Sequence, residues 1–269
     1  MRKSENLTVT LPDGKTMYIA EFGSGSRNLI LLPGLSDGLK TVKGTAKLFG
    51  VSYRTLAEDH TVYFASRVNE LEEGYTIADM ADDMVSAMKE LGIEKADIVG
   101  VSQGGMIAQE IALRHPDVTE RLVLAVTAAR PNDLIQERIR TWMRFAEAGN
   151  YRDLMIDTAE HSYTERYLSR MRRLYPILTR VGKPASFKRF LIEADAILHH
   201  DVYDRLAEIT CPTLVITAAK DDIVGAASGR EIAEMITGSE HFEYPDLGHG
   251  FNDETNDWQD RIHSFLVKV

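Results

Sequence analysis

The chain has 269 residues, of which 44% are hydrophobic and 27% charged; this excludes disordered and fibrous classes and allows one large domain, or a core domain with a sizeable insertion. A net charge of −10 and a pI of 5.3 disfavour nucleic acid and anionic membrane surfaces as partners, and no run of like charges forms a tail. The single cysteine, Cys211, rules out an internal disulfide. The opening MRKSENLTVT has no apolar stretch behind it, and no apolar run is long enough to span a bilayer, so a cytoplasmic protein is expected.

The first elements read as strands. ENLTVTLPDGKTMYIAEFG holds two apolar stretches around Pro12-Asp13-Gly14, a hairpin signal. Residues 28–34 (NLILLPG) form a short continuous apolar run ending at Pro-Gly, which suits a strand buried on both faces. Residues 61–66 predict another strand. Helices and strands then alternate. Ile77, Met80, Met84, Met88 and Leu91 fall at helical spacing, and Gly92 stops the helix. A strand is expected over 96–101, a helix over 104–115 stopped by Pro116, and a strand over 121–126. Far downstream come a strand at 211–218, a helix at 229–236, a strand at 240–245 and a last helix at 257–267. This pattern implies an α/β fold with a mostly parallel sheet flanked by helices.

Between residues 131 and 200 the alternation stops and several helices follow one another. This quarter of the chain holds 8 of the 21 aromatics: Trp142, Phe145, Tyr151, Tyr163, Tyr167, Tyr175, Phe187 and Phe190. A helical insertion between two strands reads as a cap over the C-terminal edge of the sheet, where ligands of open α/β sheets bind. The expected division is a core domain, 1–130 and 201–269, and a cap (lid), 131–200. The cap carries 12 Lys/Arg and 9 Asp/Glu in an otherwise acidic chain. Solvated helix faces with intrahelical pairs account for that balance, and so does a mildly anionic substrate.

Residues 97–105 read DIVGVSQGG. Within them, Gly100-Val101-Ser102-Gln103-Gly104 fits G-x-S-x-G. The pentapeptide occurs by chance, but here a strand precedes it and a helix follows, as a nucleophile elbow requires. Small flanking residues let the backbone close around a strained serine, and the helix N-terminus favours negative charge at the same point. A serine hydroxyl needs a base. His249, in PDLGHGFND after a predicted strand, is the best placed of the eight histidines. The base needs an orienting carboxylate. Asp221 and Asp222 follow the strand at 211–218; a turn or helix-capping role is expected for one of the two, and Asp221 is favoured as the orienting acid. His199-His200-Asp201 is rejected as a metal site, because adjacent helical side chains diverge.

The order Ser102, Asp221, His249, carried by VGVSQGGMIAQEIALRHPDVTERLVLAVTAA, ITCPTLVITAAKDDIV and PDLGHG, resembles the α/β-hydrolase-fold superfamily over nearly the whole chain. Within it the chain is similar to capped serine esterases and enol-lactone hydrolases. The resemblance implies an oxyanion hole made by the backbone N–H groups of Gln103 and Leu35, and it implies no cofactor and no metal. Two departures are visible. Pro33-Gly34 stands where relatives often have His-Gly, and residues 66–76 (SRVNELEEGYT) keep only scattered matches to the usual loop. A serine nucleophile argues against the dehalogenase and epoxide-hydrolase branches.

The expected activity is hydrolysis of a small carboxylic ester, lactone or thioester through an acyl-enzyme. The expected partner is a small molecule with an apolar or mildly anionic part, with no nucleic acid and no membrane; a homodimer is left open. An aminopeptidase or amidase on the same three residues, and a non-hydrolytic ligand-binding or lyase member of the fold, are the alternatives.

Overall fold

A computed structural model describes residues 3–268. Strands β1 (Lys3–Thr10) and β2 (Thr16–Gly23) form the expected antiparallel hairpin. In chain order there follow β3 (Arg27–Leu32), α1 (Ala46–Ser52), β4 (His60–Val68), α2 (Ile77–Glu90), β5 (Ala96–Val101), α3 (Gln103–Arg114) and β6 (Thr119–Ala125). The next described elements are all helical: α4 (Asp133–Glu147), α5 (Tyr151–Ser162), α6 (Glu165–Met171), α7 (Tyr175–Leu178) and α8 (Lys188–Leu198), with short 3-10 turns between. The sheet resumes with β7 (Thr213–Ala218), α9 (Ala226–Met235) and β8 (Glu240–Tyr244), and α10 (Phe251–Glu254) and α11 (Trp258–Leu266) end the chain.

The described residues form an eight-stranded sheet in the order β1-β2-β4-β3-β5-β6-β7-β8. β2 runs antiparallel to β1 and β4, and every neighbour from β4 to β8 pairs in parallel. Both faces of this sheet are covered, which is why every residue of β7 is buried and β5 is buried through Gly100, both strands being mostly apolar. One core lies under α2, α3 and α9; the other lies under α1 and α11. α2 illustrates how sequence fixes an element. Thr76 and Asp79 form a capping box, the face of Ile77, Met80, Met84 and Met88 is buried, and Gly92 at φ 71° follows its end.

One element was not anticipated, and element bounds shift by one to three residues. The connection between β3 and β4 contains α1, a short helix that buries only Ala46 and exposes Leu48 and Val51, so it shows no apolar periodicity. α3 begins at Gln103 rather than 104. Among the described residues no helix is long and apolar enough to cross a membrane, and no cluster of His, Cys, Asp and Glu could hold a metal ion.

His199 is exposed, whereas its neighbour His200 is 4% exposed. Burial lowers the His200 pKa from its ordinary 6.5 to about 4, against a smaller opposing pull from Asp201. The folded chain therefore holds fewer protons than the unfolded one between those values. Its contribution to stability is complete above pH 6.5 and is lost as pH falls toward 4, by about 3 kcal/mol. Urea midpoints for wild type and His200→Gln, measured at pH 7 and pH 4.5, are expected to diverge, with the variant losing less on acidification.

Candidate active site

Ser102 occupies the sharp turn between β5 and α3, with φ 55° and ψ −121°. Only two described non-glycine residues have positive φ, Ser102 and Val126 at the end of the neighbouring strand. A side chain pays for that conformation in strain, so surrounding bonds must hold it. They do: the Ser102 N–H donates to the Ala125 carbonyl at 2.9 Å, and the Ser102 carbonyl accepts from Thr127 Oγ1 at 2.7 Å and Gly105 N at 2.8 Å. The motif glycines permit close approach. A Cβ on Gly104 would lie 2.1 Å from the Leu32 carbonyl oxygen, and one on Gly100 would lie 2.3 Å from the Gly104 oxygen.

His249 lies in the loop after β8, and its Nδ1 is 2.8 Å from Asp221 Oδ2. Asp221 is 7% exposed, and its Oδ1 accepts the N–H groups of Ile223 and Val224, each at 2.9 Å. Burial alone would raise the Asp221 pKa. The His249 ring and the two amide bonds outweigh it and hold the carboxyl below the ordinary carboxylate value. An ionised acceptor at Nδ1 assigns the ring proton to that nitrogen and leaves Nε2 as a base. The two adjacent aspartates have opposite destinations. Asp222 is exposed and accepts from Arg138 Nη2 at 2.9 Å and His161 Nδ1 at 2.6 Å, both on the helical insert. The glycines beside His249 also serve the insert: a Cβ on Gly250 would lie 2.2 Å from the Tyr163 ring, and one on Gly248 would lie 2.6 Å from the Ser162 carbonyl oxygen.

Leu35 opens a 3-10 turn and Gln103 opens α3. N–H groups at such positions have no acceptor within their own helix. Both residues line the same cavity as Ser102 and His249, a space of about 340 Å³. Its walls are largely apolar. Ile135, Ile139 and Trp142 come from one face of α4, Met155 from α5, and Phe190 and Ile197 from α8.

Sequence reasoning missed a buried polar network behind this cavity. Arg67, 3% exposed, donates through Nη2 to the Pro33 carbonyl at 2.7 Å and to Gln103 Oε1 at 2.9 Å. The Gln103 amide nitrogen donates to the Glu193 carbonyl at 2.7 Å. Asp37 accepts from Ser66 Oγ at 2.6 Å, from the Arg67 N–H at 3.0 Å and from Arg189 Nη2 at 2.5 Å. Arg189 Nε also stands 3.1 Å from Glu193 Oε1. Burial, helped by nearby Asp37, pushes Glu193 up to about 8 although Arg67 and Arg189 pull it down. The one available signal was a charged arginine near the end of a buried strand, HTVYFASRV.

The sequence profile described as alpha/beta hydrolase fold matches residues 28–255. The chain belongs to the α/β hydrolase fold family. It is 28% identical over 214 residues to a putative carbamate hydrolase RutD of Caulobacter vibrioides, covering 74% of this chain and 75% of that one. The enol-lactonase of Burkholderia xenovorans LB400 superposes with a TM-score of 0.84 at 22% identity, over 97% of this chain and all (100%) of that one. An esterase from Exiguobacterium antarcticum superposes with a TM-score of 0.81 at 19% identity, over 98% of this chain and 100% of that one. At those identities the two structures establish the fold alone. Hydrolase activity is supported for this α/β hydrolase at the level of the family.

The fold brings the elbow after β5, the turn after β7 and the loop after β8 to one edge of the sheet. In this α/β hydrolase the candidate nucleophile, base and both candidate oxyanion donors border one cavity, and the candidate orienting acid bonds the base from behind.

Proposed function

We propose that the chain is a serine hydrolase that cleaves a small carboxylic ester, lactone or thioester through an acyl-enzyme. One observation carries this reading: a serine in a strained, hydrogen-bonded turn shares a cavity with a histidine whose Nδ1 is held by a buried carboxylate. Ser102 Oγ attacks the substrate carbonyl carbon while His249 Nε2 takes its proton. Asp221 keeps the ring in the required tautomer and stabilises the imidazolium. The N–H groups of Leu35 and Gln103 receive the oxyanion; one such donor contributes about 3 kcal/mol in comparable sites. His249 then gives the proton to the leaving oxygen or sulfur, and Ser102 keeps the acyl group. Water, deprotonated by His249, attacks that acyl carbon and releases the acid, and the proton returns to Ser102. Residues 131–200 act as a cap on the core, latched through Asp222 to Arg138 and His161.

The names of the relatives support the same class, since a carbamate, a lactone and an ester all present an acyl carbon bonded to oxygen. The test is labelling with a fluorophosphonate, followed by mapping of the adduct. A single adduct on Ser102 is expected in folded protein and none after heat denaturation. Folded protein that binds an ester tightly but forms no adduct would assign the fold a ligand-binding role instead.

A further inference from the structure

The cations of the insert do not reach into the cavity. Arg138 on α4 bonds Asp222 at 2.9 Å, Arg189 on α8 bonds Asp37 at 2.5 Å, and Arg172 pairs with Glu160 and Glu165 on the surface. Arg67 bonds Pro33 and Gln103 through Nη2 and is itself not part of the cavity lining. Among the described residues that line the cavity there is no lysine and no arginine. Besides His249, the ionisable lining groups are tyrosines and one carboxyl, Asp253, whose Oδ2 accepts from Tyr163 Oη at 2.6 Å. The wall supplied by α4 places Ile135, Ile139 and Trp142 at i, i+4 and i+7, all buried, so it offers hydrocarbon and nothing to pair a charge.

We propose that this site takes substrates whose acyl chain is uncharged and apolar, and that it rejects acyl chains ending in a carboxylate. The inference rests on Ser102 being the nucleophile and narrows what it attacks. It also sets aside the anionic substrate that the basic composition of the insert allowed. A neutral chain gains from each methylene it buries, about 4-fold in kcat/KM. A carboxylate at the end of the acyl chain must shed water, finds no lysine or arginine in the lining and stands in the field of Asp253. That costs it on the order of 100-fold or more relative to a methyl terminus. The cavity volume of about 340 Å³ sets a chain length beyond which the gain stops, with Trp142 and Ile139 among the residues that set it.

The experiment uses the intact chain and three matched sets of aryl esters, with acyl chains of equal length ending in methyl, carboxylate or ammonium. The methyl series is expected to rise in kcat/KM and then fall once the cavity is full, and Trp142→Ala is expected to move the maximum to longer chains. The carboxylate series is expected to lie about 100-fold or more below it. Met155→Lys, which adds a cation at a half-buried wall position, is expected to narrow that gap about 10-fold. Carboxylate-ended esters turning over as well as the methyl series would overturn the proposal. So would a preference for ammonium-ended esters, which would make Asp253 a cation anchor. Labelling of Ser102 by alkyl and carboxyalkyl fluorophosphonates keeps the two readings apart. No labelling by either removes the nucleophile assignment, whereas faster labelling by the carboxyalkyl probe removes only the substrate class.

Discussion

Replacing Ser102 with alanine is expected to lower kcat by about 10⁶-fold, the loss seen when the nucleophile of a comparable triad is removed. The substitution deletes Oγ alone. The backbone bonds that hold residue 102 in its turn, from its N–H to Ala125 and to its carbonyl from Gly105 and Thr127, do not involve that atom. Alanine keeps the Cβ, so the strain at φ 55° is unchanged and the melting temperature should shift little. Kinetics on the best ester of the series, with wild type and variant purified in parallel, check both halves. Activity within about 100-fold of wild type in a folded Ser102→Ala protein would mean that Oγ is not the attacking atom.

The second large effect is expected at Asp221. An asparagine there fills the same volume but divides its two terminal atoms between donor and acceptor. Ile223 and Val224 both donate into the position of Oδ1, so the asparagine carbonyl must turn toward them. Its NH₂ then faces His249 Nδ1, now 2.8 Å from Oδ2. That arrangement forces the ring proton onto Nε2, the nitrogen that accepts from Ser102 in the proposed mechanism. Asp221→Asn is therefore expected to reduce kcat by about 10⁴-fold with little change in KM. Asp222→Asn is the control. It weakens exposed contacts to Arg138 and His161, worth about 1 kcal/mol or less, and is expected to alter kcat by no more than a few-fold. Steady-state kinetics on the pair would distinguish two neighbours that sequence alone could only rank. Asp221 also affects acid stability. Its folded pKa is depressed, so its contribution is present above the ordinary carboxylate value and is lost as pH falls through the folded one.

What was legible in the sequence is what is local. The parallel strands announce themselves because a strand covered on both faces is mostly apolar rather than alternating, as in LILL and LVI within β3 and β7. The elbow is legible because its demands, a serine between small residues after a strand and before a helix, fall within five positions. His249 could be chosen because its loop follows a strand end on the same edge. The helix α1 left no trace, since a helix that buries one alanine has no apolar stripe. The network of Asp37, Arg67, Arg189 and Glu193 left none either. Its contacts join residues as far as 152 positions apart, and polar pairing at such range has no periodicity. The direction of charge was also hidden. Counting the cations of residues 131–200 could not show that Arg138 and Arg189 are taken up by aspartates of the core.

That same network has a consequence for any attempt to change specificity by exchanging the helical insert for one from another hydrolase. The insert is not a detachable module. Arg189 and Glu193 travel with it, but Asp37, Arg67 and Gln103, to which they are joined, stay with the core. A chimera with a foreign α8 would leave buried Asp37 without Arg189 and buried Arg67 without Glu193, and breaking a buried ion pair in this way costs about 3–5 kcal/mol. Part of that strain would fall on Gln103, whose backbone opens α3 beside the serine. Recombination at the insert boundaries would therefore yield folded but poorly active proteins unless positions 37, 67, 189 and 193 were moved as a set.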